Sequence, residues 1–360
     1  MRAIIIGHFC APRFCSLIAP FRLYGEPSWC GHLDDVDIMR ESPDANGSPR
    51  QQKELSEDEI ARTLKEMAHA FGHPLRSPIL KTPADYGLAF EDVTFPSQDG
   101  VPLEAWLIRR KDSQKLVICN HPLSFNRYGY PSHLSPWQAF GAWGGNTFEV
   151  NYMPDYVILH EAGYNVLTYD ERNFGRSGAA NGGLTSAGRY ESRDVIGSLQ
   201  YARAHKDLQH MIVGLFSRCN GANATLFAMR HQPDQFNEVR CLLAAQPLSV
   251  RSIMERFLAA MGLADRMDQF ETECKLVVSF GFDDMSPIPW AKGVRTPTFI
   301  YQVHDDIMTT PSDVQAIFDN IPIAEKRLHW IHGTTARFNG YLEFQRRPGP
   351  MLEWLETYMA

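Results

Sequence analysis

The sequence predicts an α/β fold, a mainly parallel sheet covered by helices on both faces. Three observations predict it. From about residue 88, short apolar runs alternate with helix-length segments, the pattern of repeated β-α units. Phe90–Phe95 and Leu103–Ile108 flank Gln98-Asp99-Gly100, a hairpin turn signal that opens the sheet. Met211-Ile212-Val213 leads through small residues into the good helix formers of 225–230, a strand, tight turn and helix in direct succession.

The elements follow in chain order. Residues 1–50 are irregular, with Pro, Gly, Asp and Ser at 43–49 marking a flexible loop. Ser56-Glu57-Asp58-Glu59 forms a capping box, and Ile60, Leu64, Met67, Ala68 and Phe71 recur at helical spacing. That apolar face needs a partner, either the main domain or a second copy in a homodimer. Residues 1–85 are thus an N-terminal extension with one amphipathic helix, and 86–360 form the main domain. Further strands are expected at 116–120, 163–169, 241–245, 298–303 and 327–331, with helices at 190–205 and 350–359. Residues 124–155 and 248–292 exceed simple connections, and the second contains a helix from Ile253 to Met261. Tyr128, Tyr130, Trp137, Phe140, Trp143 and Phe148 in the first either wall a substrate pocket or cover the core.

Composition narrows the function. The chain has 360 residues and a formal net charge of -7. No basic block stands out, which argues against nucleic acid. No run approaches the ~20 apolar residues of a membrane helix, and Ala3–Ile6 is too short for a secretory signal. Seven cysteines, at 10, 15, 30, 119, 219, 241 and 274, lack zinc-ribbon spacing; reduced thiols and a cytoplasmic setting are expected. The start contains Cys10, Cys15 and Cys30 close together, but no metal motif. Elsewhere only His304-Asp305-Asp306 clusters metal-ligand types, and no metal or cofactor is expected. Gly175-x-x-Gly178 lacks the dinucleotide-binding spacing.

The turn carries the chemistry. Ser217-x-Cys219-x-Gly221 has the small-x-nucleophile-x-small form of a nucleophile elbow. Small flanking residues let the strained turn close. The turn lifts the thiol above the sheet at a helix N-terminus, an electropositive place for a thiolate. It also aims the N–H of Asn220 at a developing oxyanion. A buried, inert cysteine is the competing interpretation.

With the elbow, the strand ending Asn120-His121-Pro122, the segment Asp170-Glu171-Arg172-Asn173-Phe174-Gly175-Arg176-Ser177-Gly178 and a late acid loop, residues 88–360 resemble the α/β-hydrolase superfamily. Asp170–Gly178 is similar to the D-x-R-G-x-G-x-S segment of esterases, peptidases and dienelactone hydrolase-like members, with Asn173 where glycine is common. Dienelactone hydrolases also carry cysteine at the elbow. The resemblance implies the α/β-hydrolase fold with a helical lid insertion, and a triad in the order nucleophile, acid, histidine. Cys219 takes the first place. Asp306 takes the second, with Asp305 the alternative. The third departs from the family. Ala336 or Arg337 stands where histidine is expected, no histidine follows 332, and His332 is the nearest substitute. His304 is its alternative, and a site without catalytic histidine is the third option. Leu123 is the second oxyanion donor, because Pro122 has no N–H. His121 either holds that loop or faces substrate.

These residues imply a cysteine-dependent acyl enzyme acting on an ester, lactone or thioester carbonyl. Its substrate is a small, partly apolar acyl molecule, free or bound to a carrier protein. Relatives of this general type move polyketide acyl groups, so an acyltransferase or cyclase is the first rival to a hydrolase. A non-hydrolytic protein that keeps only the pocket, for ligand binding or for lyase or isomerase chemistry, is the second.

Overall fold

The computed structural model describes residues 55–360. The stretch 1–54, with the loop at 43–49 and Cys10, Cys15 and Cys30, lies outside the described residues. One eight-stranded sheet carries the fold. Its strands are β1 (Glu91–Pro96), β2 (Pro102–Ile108), β3 (Lys115–Cys119), β4 (Asn165–Tyr169), β5 (Ile212–Arg218), β6 (Val239–Ala245), β7 (Thr298–Val303) and β8 (Lys326–Ile331). Their spatial order is β1-β2-β4-β3-β5-β6-β7-β8. β1 and β2 form the expected hairpin, closed by Ser97 N–H on the Val101 carbonyl (2.8 Å) and a left-handed Gly100. β2 meets β4 antiparallel, and all later pairings are parallel.

The longer helices are α1 (Glu57–Gly72), α2 (Met153–Glu161), α3 (Ser192–Ala204), α4 (Asn220–His231), α5 (Val250–Ala260), α6 (Met267–Val278), α7 (Pro311–Asp319) and α8 (Gly349–Met359). Side-chain alternation along the strands feeds two cores. Cys241, Leu243 and Ala245 of β6 join α2 and α8 on one face. Leu242 and Ala244 join α3, α4 and α7 on the other. The chain leaves β3 toward β4 on one side and returns to β5 on the other. The carboxyl ends of β3 and β5 therefore flank a topological switch point, where open α/β sheets bind ligands.

A third apolar cluster lies outside these two. Ile60, Leu64 and Ala68 of α1 pack with Leu258 of α5 and with Phe270, Cys274 and Val278 of α6. The capping box forms as expected, with Ser56 N–H donating to Glu59 (2.9 Å) and Glu59 N–H to the Ser56 hydroxyl (3.3 Å). Gly72 is needed here because a Cβ would come within 2.5 Å of Val277. The apolar face of α1 is thus used within the chain. α5 begins three residues ahead of the expected Ile253. α6 was not foreseen, although Phe270, Cys274 and Val278 recur at i, i+4, i+8; charged residues between them obscured the stripe. No helix among the described residues is long and apolar enough to cross a membrane.

Leu64 is fully buried between α1 and α6. Leu64→Ala should lower the free energy of unfolding by about 2–5 kcal/mol, measured by urea denaturation.

Candidate active site

β5 ends at Arg218 and α4 begins at Asn220, which leaves Cys219 alone to reverse the chain. It does so at φ 49°, ψ -106°, a conformation costly for a side-chain-bearing residue. Its N–H donates to the Ala245 carbonyl (2.7 Å) and its carbonyl accepts from Asn223 (2.9 Å). Gly221 is obligatory, since a Cβ there would lie 2.2 Å from Asn120 Oδ1. Cys219 is half-buried, whereas Cys119, Cys241 and Cys274 are buried. Burial pushes each of those three thiols up to about 12.

The elbow is braced from below. Arg218, fully buried, pairs with Asp155 at the start of α2 (2.7 Å) and lies over the rings of Phe216 and Tyr152. Gln345 also donates to Asp155 (3.0 Å). The first long insertion is thereby fastened to the residue preceding Cys219.

The loop after β7 sends its two aspartates in opposite directions. Asp305 is exposed and bonds His304 Nδ1 (2.7 Å). Asp306 is only 3% exposed. Its carboxylate accepts from Met308 N–H (2.9 Å), the Thr309 hydroxyl (2.8 Å), Gln302 Nε2 (3.2 Å) and Arg337 Nη1 (2.7 Å). Arg337 is equally enclosed. Its Nε donates to the Tyr341 hydroxyl (3.0 Å) and its Nη2 to the Gln246 carbonyl. Burial works against this charge, but Tyr341, Asp306 and Cys219 outweigh burial and hold the pKa above that of ordinary arginine. Burial likewise drives the Tyr341 phenol far above its usual range. The Tyr341 oxygen accepts from Arg337, and Cys219 packs against the apolar cluster that contains Tyr341.

Among the described residues, no histidine is hydrogen-bonded to Asp306 or Cys219. His332 is exposed, and its ring stacks obliquely on His304 at 4.9 Å. The expectation of His332 at Asp306 is corrected to Arg337. Beyond His332, Gly333 turns the chain at φ 84°, and Ile307 N–H bonds the Thr335 carbonyl (3.4 Å). This return carries residue 337 inward, while 332 stays at the sheet's end. His304, the alternative base, is held by Asp305 in the same outer group. His121 is buried and structural. Its Nδ1–H donates to the Pro122 carbonyl (2.8 Å), so its Nε2 accepts from Glu171 N–H (2.9 Å). Burial lowers its pKa to about 3, which keeps it neutral.

Asn220 is the first residue of α4, so its N–H has no intrahelical acceptor. Leu123 is half-buried in the loop after β3. Glu171, which sequence reasoning passed over, is fully buried beside Asn220. Its Oε2 accepts from the Asn220 side chain (2.7 Å), and its Oε1 has no hydrogen-bond partner among the described residues. Burial, then Glu191 and Asp194, raise its pKa well above the glutamate range. Tyr341 could have been suspected only as a polar residue on an apolar segment.

Aromatic rings close over the far side. Phe125 stacks on Tyr130 (4.6 Å between centroids) and meets Phe338 (5.2 Å) and Tyr341 (5.4 Å) edge-on. Tyr128 and Tyr130 are core residues, while Phe140 remains 37% exposed. Trp143 touches Phe257 of α5 at 5.3 Å, joining the two insertions.

Several solved structures are similar to this fold. The esterase Pf2001 of Pyrococcus furiosus is 19% identical, with 81% of this chain covering 98% of that one at a TM-score of 0.60. The α/β hydrolase GrgF of Penicillium sp. sh18 is 15% identical, over 76% of this chain and 99% of that one, with a TM-score of 0.50. The chain has the α/β-hydrolase fold. DcsB, solved with a substrate analogue, is also similar, at 14% identity over 75% of this chain and all of that one (TM-score 0.52). No protein-family model matches the chain, and no curated protein does. Within this fold, Asp306 of the loop after β7 is paired with Arg337 and with no histidine among the described residues.

Glu171 yields a pH test. A carboxyl whose folded pKa is raised binds its proton more tightly when folded, so stability falls as pH rises above the unfolded value near ~4.3. Glu171→Gln removes that dependence while keeping the Asn220 bond. Relative to wild type, the variant should gain up to about 1.4 kcal/mol per pH unit above that point until the folded carboxyl ionises. Urea midpoints at several pH values measure it, and parallel curves would refute it.

Proposed function

We propose that the protein is an acyl-transfer enzyme working through a thioester on Cys219. What carries this reading is a half-buried thiol in a strained turn at a helix N-terminus, packed against the apolar cluster that contains Tyr341, which Arg337 bonds. The thiolate attacks an ester, lactone or thioester carbonyl. The N–H groups of Asn220 and Leu123 hold the oxyanion, each worth ~10²–10³ in rate. As the intermediate collapses, the bond to the leaving group breaks. Tyr341 supplies the leaving group's proton, and Arg337 steadies the phenolate until the proton returns from the acceptor. Asp306 keeps Arg337 in place and neutralised.

The same arrangement favours transfer over hydrolysis. Arginine stays protonated and cannot serve as a general base for water. Deacylation therefore relies on the Tyr341 phenolate, and a thioester accepts an amine more readily than water. An amine, or a hydroxyl or carbon nucleophile of the substrate itself, is the better acceptor of the acyl group. The aromatic cover of Phe125, Phe338 and Tyr341 suits a partly apolar acyl chain, free or carrier-bound, including a polyketide-type chain released by cyclisation. A soluble setting in the cytoplasm fits free thiols at Cys119, Cys219, Cys241 and Cys274. The absent imidazole also favours a second reading, a pocket that binds or isomerises its ligand without covalent chemistry.

Incubation with a p-nitrophenyl ester, followed by peptide mass spectrometry, separates the two. The acyl mass is expected on the Cys219 peptide, absent in Cys219→Ala, with slow release in water and faster release on adding an amine. Arg337→His, which sets an imidazole against Asp306, should speed release to water; general-base assistance typically contributes ~10²–10⁴-fold. Acylation of Cys219 no faster than of Cys119, Cys241 or Cys274 would leave only the non-covalent reading.

A further inference from the structure

His304, Asp305 and His332 are not used by the proposed chemistry, yet the sheet brings them together. β7 and β8 run parallel with Val303 opposite Ile331. The next residues, His304 and His332, therefore leave the two strands side by side, and His304 N–H is fixed to the Ile331 carbonyl (2.9 Å). One ligand atom from each of His304, Asp305 and His332 lies within 4.8 Å of the others. His304 Nδ1 is 2.7 Å from Asp305 Oδ1. The edge of the group is walled by Trp330, whose ring meets His304 at 5.3 Å and 82°.

We infer that this group is a surface site for a zinc-class transition-metal ion. Two imidazoles and a carboxylate are the donors such ions select, whereas calcium and magnesium prefer oxygen alone. Three protein ligands leave one tetrahedral position for water or an exogenous ligand. Bonds of about 2.0–2.2 Å put tetrahedral donors roughly 3.3–3.5 Å apart. The three side chains need to close by little more than an ångström, which partly exposed side chains achieve by rotation. The site shares its loop with Asp306 but touches neither Cys219 nor Arg337, so it stands whether or not the acyl chemistry does.

The full-length protein, free of any histidine tag and stripped with a chelator, should be titrated with Zn²⁺ by calorimetry and with Co²⁺ by visible absorption. Co²⁺ bound to nitrogen and oxygen donors gives d–d bands without the near-ultraviolet thiolate-to-metal band. His332→Ala, and separately Asp305→Asn, should weaken Zn²⁺ binding by about tenfold or more, the lower range for losing even an outer partner of a metal site. Far-ultraviolet circular dichroism checks that both variants fold, and Cys219→Ser should bind as wild type does. Equal affinity in His332→Ala and wild type, a thiolate band, or no saturable binding by the wild type would each overturn the site.

Discussion

A guanidinium sealed inside a protein must be neutralised and hydrogen-bonded, or it does not stay there. Arg337 meets that demand with Asp306, the Gln246 carbonyl and the Tyr341 hydroxyl. Each partner comes from a different connection at the carboxyl edge of the sheet. Asp306 lies on the loop after β7, Gln246 follows β6, and Tyr341 lies between β8 and α8. Gln246 in turn donates to the Arg337 carbonyl and accepts from Val303 N–H (3.2 Å). Breaking such a pair from one side leaves an uncompensated buried charge, typically destabilising by about 3–5 kcal/mol. The loops that shape the site are therefore tied to one ion pair.

The pair reaches the nucleophile through short links. Cys219 N–H hangs from Ala245, the residue before Gln246. Phe338, next to Arg337, donates its N–H to Asn146 Oδ1 (2.7 Å), which fixes the first insertion above the site. On the other side, Arg218 and Asp155 fasten the elbow to α2. Two buried arginine–aspartate pairs thus brace this edge of the sheet: one fastens the elbow to α2, and the other ties together the loops after β6, β7 and β8. A histidine in the place of Arg337 could exchange a proton; a guanidinium supplies a fixed positive charge.

The fold was legible because its signals are local. Alternating apolar residues in 241–245 and 298–303, and the hairpin around Gly100, need only neighbours in sequence to be read. The Asp170–Gly178 segment was legible for a similar reason. Asn173 adopts φ 70°, a left-handed position that asparagine tolerates when glycine is replaced. Gly175 cannot be replaced, since a Cβ would lie 2.1 Å from Asp170. Asp170 itself is committed to Arg127 (2.9 Å) and serves the scaffold. The position opposite the acid was legible, its occupant was not. Family spacing points to 336 or 337, and His332 is only the nearest imidazole; the chain turns at Gly333 and comes back at Arg337. The pairing of a carboxylate with a residue thirty-one positions away depends on that return, which no local pattern records. Glu171 was hidden for the opposite reason: inside a segment read as a motif, its full burial comes from the approach of α4.

Adjacent carboxylates on one loop cannot share one environment when the loop runs along a sheet edge. Asp306 turns in under the chain returning from β8, where four donors hold it. Asp305 must then turn out, toward the imidazoles that the β7–β8 register has already set side by side. The inward member meets a cation supplied by the chain. The outward member meets two imidazole rings and no Lys or Arg side chain at salt-bridge distance among the described residues. The same backbone geometry that commits Asp306 to Arg337 therefore leaves its neighbour's charge uncompensated next to two nitrogen donors.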